Sequence, residues 1–229
     1  MTDTSSEAGQ AQTLVVTLFE SYGSGASYVS ARVADALGVP LHVQAFSSEE
    51  IEAAMSVHES RSLLTRVFNA MGGSVASYTG GEGPNILIAE RGDTYELVAE
   101  NTRYVQEAAR EGGVIVGRNG AFILADWPGA LHVRLDGPLK QTATRERTGY
   151  DARAAQESGI DLEQAAQRQK REDQIRADMS IEFYGWDPRE ADRYHLVLNT
   201  GLMDLDTCAD GIVQIASAKA GRQGASAYR

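Results

Sequence analysis

Gly23, Ser24, Gly25, Ala26 and Ser27 are residues whose types and spacing suit one kind of chemistry, the holding of a polyphosphate. Glycines let the main chain approach a ligand closely. Backbone N–H groups at such a turn, together with the positive end of a following helix, face an anion. The Ser27 hydroxyl has the chemistry of a Mg²⁺ ligand beside that anion. An apolar β-type run over residues 14–19 precedes the turn. A helical stripe of Val29, Val33, Ala34, Ala36 and Leu37 follows it and stops at Gly38. Against the Walker A pattern G-x-x-x-x-G-K-[ST], Glu20 stands at the first Gly, Gly25 at the second, Ala26 at the Lys and Ser27 at the hydroxyl position. The loop therefore keeps its turn and its hydroxyl and lacks the side-chain cation. The same residues also read as a tight βα turn without ligand, with Ser27 a plain helix N-terminal residue.

Arginines form the second set. Arg118 follows Gly117 at the end of the apolar run 114–116, and a charged helical stretch over 139–185 carries Arg145, Arg147, Arg168, Arg171 and Arg176 among Glu146, Glu163, Glu172 and Asp173. A guanidinium stays charged and binds two phosphate oxygens at once. Two readings stand side by side: a solvated helix pair laced by i,i+4 ion pairs, or an arginine-bearing lid that folds over phosphates.

The elements that must position these residues alternate between strand and helix. Apolar runs at 14–19, 41–43, 114–116, 131–135 and 194–198 read as strands, and helical patterns lie at 93–110, 121–125 and 205–216. A Ser47–Glu50 capping box opens a helix through His58, a further helical piece covers 60–71, and 72–84 is a Gly/Ser loop. Alternation of this kind predicts an α/β fold, a three-layer parallel sheet of P-loop NTPase type with a helical lid. In such sheets ligands sit beyond the carboxyl ends of the strands. The Gly23 turn, Gly117-Arg118 and Asp136-Gly137-Pro138 all fall there. The expected division is a disordered tail over 1–12, one domain over 13–217 with its lid at about 139–185, and a loose tail over 218–229.

Bulk properties narrow the partners. The 229 residues carry a net charge of −11, which argues against a nucleic-acid backbone. No apolar run reaches the length of a membrane span, and residues 1–12 contain no apolar signal core. Cys208 alone cannot form an internal disulfide; it fits a reducing cytoplasm and a packing role. The four histidines show no metal-ligand spacing. A small phosphorylated ligand remains, and the oligomeric state is open.

With these residues in place, the chain resembles the cytidylate kinase-like family of nucleoside monophosphate kinase-type proteins over about residues 13–215. The resemblance rests on Tyr22-Gly23-Ser24-Gly25, Ala36-Leu37-Gly38-Val39-Pro40, Val114-Ile115-Val116-Gly117-Arg118, Asp173-Gln174-Ile175-Arg176 and Leu196-Val197-Leu198-Asn199-Thr200-Gly201. It implies phosphoryl transfer from ATP, with Mg²⁺, to a small nucleotide. Gly23, Ser24, Gly25, Ala26, Ser27 and Tyr28 would take the ATP phosphates. Arg118 would hold the acceptor nucleotide and Arg145 would approach the transferring phosphoryl. Asp173 and Arg176 match the lid's Asp-x-x-Arg, which holds the acceptor in cytidylate kinases. The chain departs from the family pattern at four places. Ala26-Ser27 replaces the common Gly-Arg, Val43 and His195 replace frequent Asp residues, and Asn119 stands where cytidylate kinases carry Asp. A protein that kept the fold and nucleotide binding but lost catalysis is the alternative.

Overall fold

A computed structural model of the chain describes residues 13–43, 91–117, 119–137 and 159–226. The expected elements at 47–71, the Gly/Ser loop at 72–84, and both Arg118 and Arg145 lie outside them.

Strand β1, Val15–Glu20, is the centre of the molecule. Its apolar side chains are buried on both sides, as a parallel strand covered by helices requires. Helix α1, Ala26–Leu37, follows directly. It ends where Gly38, at φ 64, takes the left-handed conformation and the Val39 N–H reaches back to the Ala34 carbonyl. Then come β2 (Leu41–His42), α2 (Arg91–Glu111), β3 (Gly113–Val116), α3 (Gly120–Ile123), β4 (Leu131–Asp136), α4 (Leu162–Tyr184), β5 (Leu196–Asn199) and α5 (Leu205–Ser226).

The five strands form one all-parallel sheet in the order β2-β3-β1-β4-β5. In register Leu18 pairs with Val116 and Glu20 with Leu135, so the ends of β1, β3 and β4 open on the same edge. On one face α1 and α5 bury Val29, Val33, Cys208 and Ile212 against Val16, Leu18, Val114 and Val133. On the other, α2 and α3 bury Val105, Ala109 and Leu124 against Val15 and Ile115. This is the three-layer α/β architecture expected from the alternation, and Cys208 has the packing role its position suggested.

Most boundaries shift by one or two residues, and three of the shifts have a visible cause. Strand β3 begins at Gly113 rather than Val114, because a Cβ there would come within 2.6 Å of the Pro40 carbonyl; only glycine lets β2 pair so closely. Strand β5 begins at Leu196, since Tyr194 is held in a turn by its N–H to the Ala191 carbonyl. Helix α5 continues to Ser226, so residues expected to form a loose tail after 217 extend the last helix instead. No proline interrupts the alanine-rich stretch beyond Ala216, and Lys219 ties it down by donating from Nζ to the Ala130 carbonyl at 2.6 Å.

Candidate active site at the β1–α1 loop

The loop is shaped from within. Ser21 donates its N–H to the Leu135 carbonyl, and its hydroxyl donates to Asp136 Oδ1 at 3.1 Å. The same carboxylate oxygen takes the Gly137 N–H, and Arg134 holds the other oxygen. The end of β4 thus fixes where the loop leaves β1. The Ser24 N–H closes back on the Ser21 carbonyl at 3.1 Å. Gly23 and Gly25 sit at φ 76 and 81, in the left-handed region that side chains avoid. A Cβ at Gly25 would also lie 2.7 Å from Leu205 Cδ1, so α5 closes the loop from behind. Helix α1 starts on Gly25 with no side-chain cap, leaving its first N–H groups to another partner.

Of the loop residues expected to take phosphates, Gly23, Ser24, Gly25 and Ala26 form the turn itself. Ala26 is buried at 2% exposure and brings no charge. Ser27 stands exposed at the first turn of α1. The Tyr28 side chain turns to α5, where its hydroxyl donates to Asp206 at 2.6 Å, while its main chain stays in the first turn of α1. Among the described residues no group of three or more His, Cys, Asp or Glu side chains is arranged to hold a metal ion.

Helix α4 lies across the loop. Asp161 opens it with a capping box shared with Gln164, and Gly185 closes it at φ 69. Its inner face mixes Ala165, Ile175 and Ala177 with polar Gln169, Glu172 and Ser180, the last three buried at 1, 4 and 3% exposure. Ala165 and Ile160 enclose the Tyr22 ring, over which the Arg168 guanidinium stands at 5.6 Å. One turn on, Asp173 Oδ1 accepts the Tyr22 N–H at 2.7 Å, so a carboxylate occupies a main-chain donor of the loop. Arg176 donates to the Glu20 carbonyl at 3.5 Å and lies 3.8 Å from its carboxylate and 3.4 Å from that of Glu172. Glu172 also receives Arg168 Nε at 3.0 Å.

Three carboxylates therefore meet two guanidiniums at this seam. Burial raises the Asp173 carboxyl to about 7, the nearby Glu20 and Glu172 charges push the same way, and the Tyr22 N–H and Arg176 oppose them. Asp173 Oδ2 is buried and makes no hydrogen bond among the described residues.

The structure brings Arg176 and Asp173 to the loop, and it also shows the i,i+4 ion pairs of the other reading, Arg168–Glu172 and Arg176–Glu172. Asn119 acts as a structural brace: at φ 56 it precedes α3, and its Oδ1 accepts from Ser180 at 2.7 Å and Trp186 Nε1 at 3.1 Å. It pins α4 to the end of β3. His195 lies near the amino end of β4, bonded to the His132 N–H, away from the loop. Sequence reasoning named Arg168 and Glu172 only among the charges of the 139–185 stretch and Asp136 only as a strand end, and it missed the Tyr22 main chain. The i,i+4 spacing of Arg168, Glu172 and Arg176 is visible as a run of ion pairs, but nothing in that spacing tells which face turns inward.

Residues 15–202 match the model of the cytidylate kinase-like family, most of the chain. The chain belongs to the cytidylate kinase-like family. A uronate isomerase of Corynebacterium glutamicum is 34% identical over 119 residues, 52% of this chain and 21% of that protein, so the chain spans about a fifth of that relative's length. Among solved structures, an uncharacterized protein from Eubacterium ventriosum aligns with a TM-score of 0.57 at 18% identity, covering 90% of this chain and 99% of that one, a likeness of fold. Shikimate kinase from Acinetobacter baumannii, solved with shikimate, aligns at a TM-score of 0.45 and 12% identity over 91% of this chain and 95% of that one, too loosely to bear on mechanism. Within this family the all-parallel sheet, the β1–α1 loop and the crossing α4 make up a kinase-like fold. No described helix is long and apolar enough to cross a membrane.

Proposed function

We propose that this cytidylate kinase-like protein transfers a phosphoryl group from ATP to a small nucleotide acceptor. The observation that carries the proposal is the meeting of Arg176 with the loop: a charged fork from α4 lies against the Glu20 carbonyl, where the loop begins. Phosphoryl transfer asks of a protein mainly placement and positive charge on the equatorial oxygens. The loop fits a bound anion, since its Tyr22 N–H already holds the oxygen of a carboxylate. Gly23, Ser24, Gly25 and Ala26 would hold the ATP phosphates through their main chain, with Ser27 toward Mg²⁺, and the metal would neutralise phosphate charge. Arg118 and Asp173 would take the acceptor, and Arg145 and Arg176 would enclose the transferred group. An incoming phosphate oxygen competes with Asp173 for the Tyr22 N–H, so loading the loop requires α4 to ease away from Tyr22 and then close again over the nucleotide.

Purified protein with ATP·Mg²⁺ and a panel of nucleoside monophosphates should release ADP with at least one acceptor. Arg176→Ala should lower kcat/KM by about 10³-fold, the scale of a single phosphate-facing arginine. ADP release with no acceptor on the panel, or at an undiminished rate in the variant, counts against the proposal.

A second reading is favoured by Ala26, which is buried and uncharged where a kinase loop usually carries a cation, and by the negative charge of Glu20 at the start of the loop. On that reading the protein binds a nucleotide without transferring phosphate. It expects ATP to raise Tm while no ADP forms.

A further inference from the structure

At the amino end of β4, opposite the loop, a second polar cluster joins three elements. His132 on β4, His195 just ahead of β5 and Lys219 on α5 meet there, with the His132 and His195 rings 5.1 Å apart. The His132 N–H donates to His195 Nδ1 at 2.9 Å. A backbone N–H only donates, so His195 Nδ1 carries no proton, and the neutral ring then bears its proton on Nε2. That Nε2 faces Lys219 Nζ at 2.9 Å. An ammonium has three N–H donors and no lone pair, so a charged Lys219 would set donor against donor. A free amine resolves the conflict: its lone pair accepts the Nε2–H, and one of its own hydrogens goes to the Ala130 carbonyl at 2.6 Å.

The surroundings agree with that bonding. Among the described residues none of the ion pairs includes Lys219. The groups facing it from β4 and from the approach to β5 are themselves basic. Burial pulls the Lys219 amine below its ordinary value and lowers His195 as well. His132, with Thr17 Oγ1 2.8 Å from its Nδ1, is lowered to about 4, chiefly by burial. Lys219 is only partly buried, so a small solute reaches it.

We propose that Lys219 is a site of covalent modification, an uncharged and nucleophilic amine that small acyl phosphates acylate. The His195 Nε2–H gives up its hydrogen bond to Nζ, and the freed lone pair attacks the acyl carbon and forms an N–C bond. The C–O bond to phosphate breaks, phosphate leaves with the electron pair, and the nitrogen gives one proton to solvent. The product amide N–H can still donate to Ala130, but its nitrogen no longer offers His195 a lone pair. Modification therefore removes the bond between α5 and His195 at the start of β5, while the Ala130 bond and the apolar packing of α5 remain.

The chain has three lysines, Lys140, Lys170 and Lys219, and Lys170 is an exposed reference on α4. Acetyl phosphate is the probe, with site-by-site acetylation read by peptide mass spectrometry across the neutral to alkaline range. Lys219 should react several-fold faster than Lys170 near neutral pH and show its midpoint at lower pH, since each unit of lowering leaves about tenfold more free amine. In His195→Leu, which removes the Nε2–H, the advantage of Lys219 should disappear. Equal rates and equal midpoints for the two lysines in the unmodified sequence would overturn the proposal, whatever the stability of the variant. So would full retention of the advantage in a folded His195→Leu protein.

Discussion

The seam between α4 and the loop and the seam between α1 and α5 are built on opposite principles. Between α1 and α5 the buried groups are Val29, Val33, Cys208, Ala209 and Ile212, and the contact is apolar. Between α4 and the loop, beside the small Tyr22–Ala165 contact, they are Glu172 and Gln169, with the part-buried Asp173 next to them and Arg168 and Arg176 closing over them. An apolar seam gains from every methylene removed from water and has no cheaper arrangement nearby. A seam of charges gives up hydration to form, and its pairs can be exchanged for those of an anionic ligand at little net cost. The first kind of contact holds the sheet together. The second suits a helix that, on the proposed function, parts from the loop and returns.

The comparison can be broken most directly at Arg176, whose change to Ala should abolish nearly all transfer while leaving Tm close to its starting value. Ile212→Ala should behave in the reverse way. It should destabilise the fold by about 2–5 kcal/mol, measured by denaturant unfolding, yet leave the nucleotide affinity of the folded fraction unchanged. Equal stability losses at both sites would mean that the charged seam is as structural as the apolar one.

The pH dependence of stability sharpens the contrast. The Asp173 carboxyl is raised from 3.8 to about 7 in the folded state, so the folded protein keeps a proton that the unfolded chain releases. Its contribution is fully present below its unfolded value and is lost as pH rises through about 7. Asp173→Asn should flatten that fall in Tm, and above about pH 7, where Asp173 is charged, it should strengthen ATP binding by removing a competing charge. His132 runs the other way: lowered from 6.5 to about 4, it contributes above 6.5 and loses that contribution as pH falls toward 4. His132→Gln should flatten the acid limb alone. A smaller effect is expected at Gly25→Ala, where positive φ and the 2.7 Å approach to Leu205 should together cost about 1–3 kcal/mol. Adding Leu205→Ala should recover only the contact part of that loss.

The strand order of types, the glycine turn after β1, the stop of α1 at Gly38 and the packing role of Cys208 were all legible in the sequence. Each depends on neighbours along the chain: period-two or continuous apolar runs, a 3.6-residue stripe, a residue free to adopt positive φ. Helix α2 agrees within two residues at its start and one at its end for the same reason. The end of α5 was not legible, because the tether that holds it, Lys219 on the Ala130 carbonyl, spans 89 positions of sequence. Nor was the use of Asn119 as a brace, which needs Ser180 and Trp186 brought to it from α4 and the turn beyond.

By itself, then, the sequence determined a parallel α/β sheet whose first strand ends in a glycine loop without a cation. Those features follow from local periodicity and from what each residue's backbone allows. Only the tertiary structure decided that Asp173, rather than a side chain of the loop, meets the Tyr22 N–H, and that Arg176 reaches Glu20. The sign and the identity of a charge are written in the chain, but which opposite charge it meets depends on how α4 lies across the sheet. Packing between distant segments sets that, and no local pattern records it.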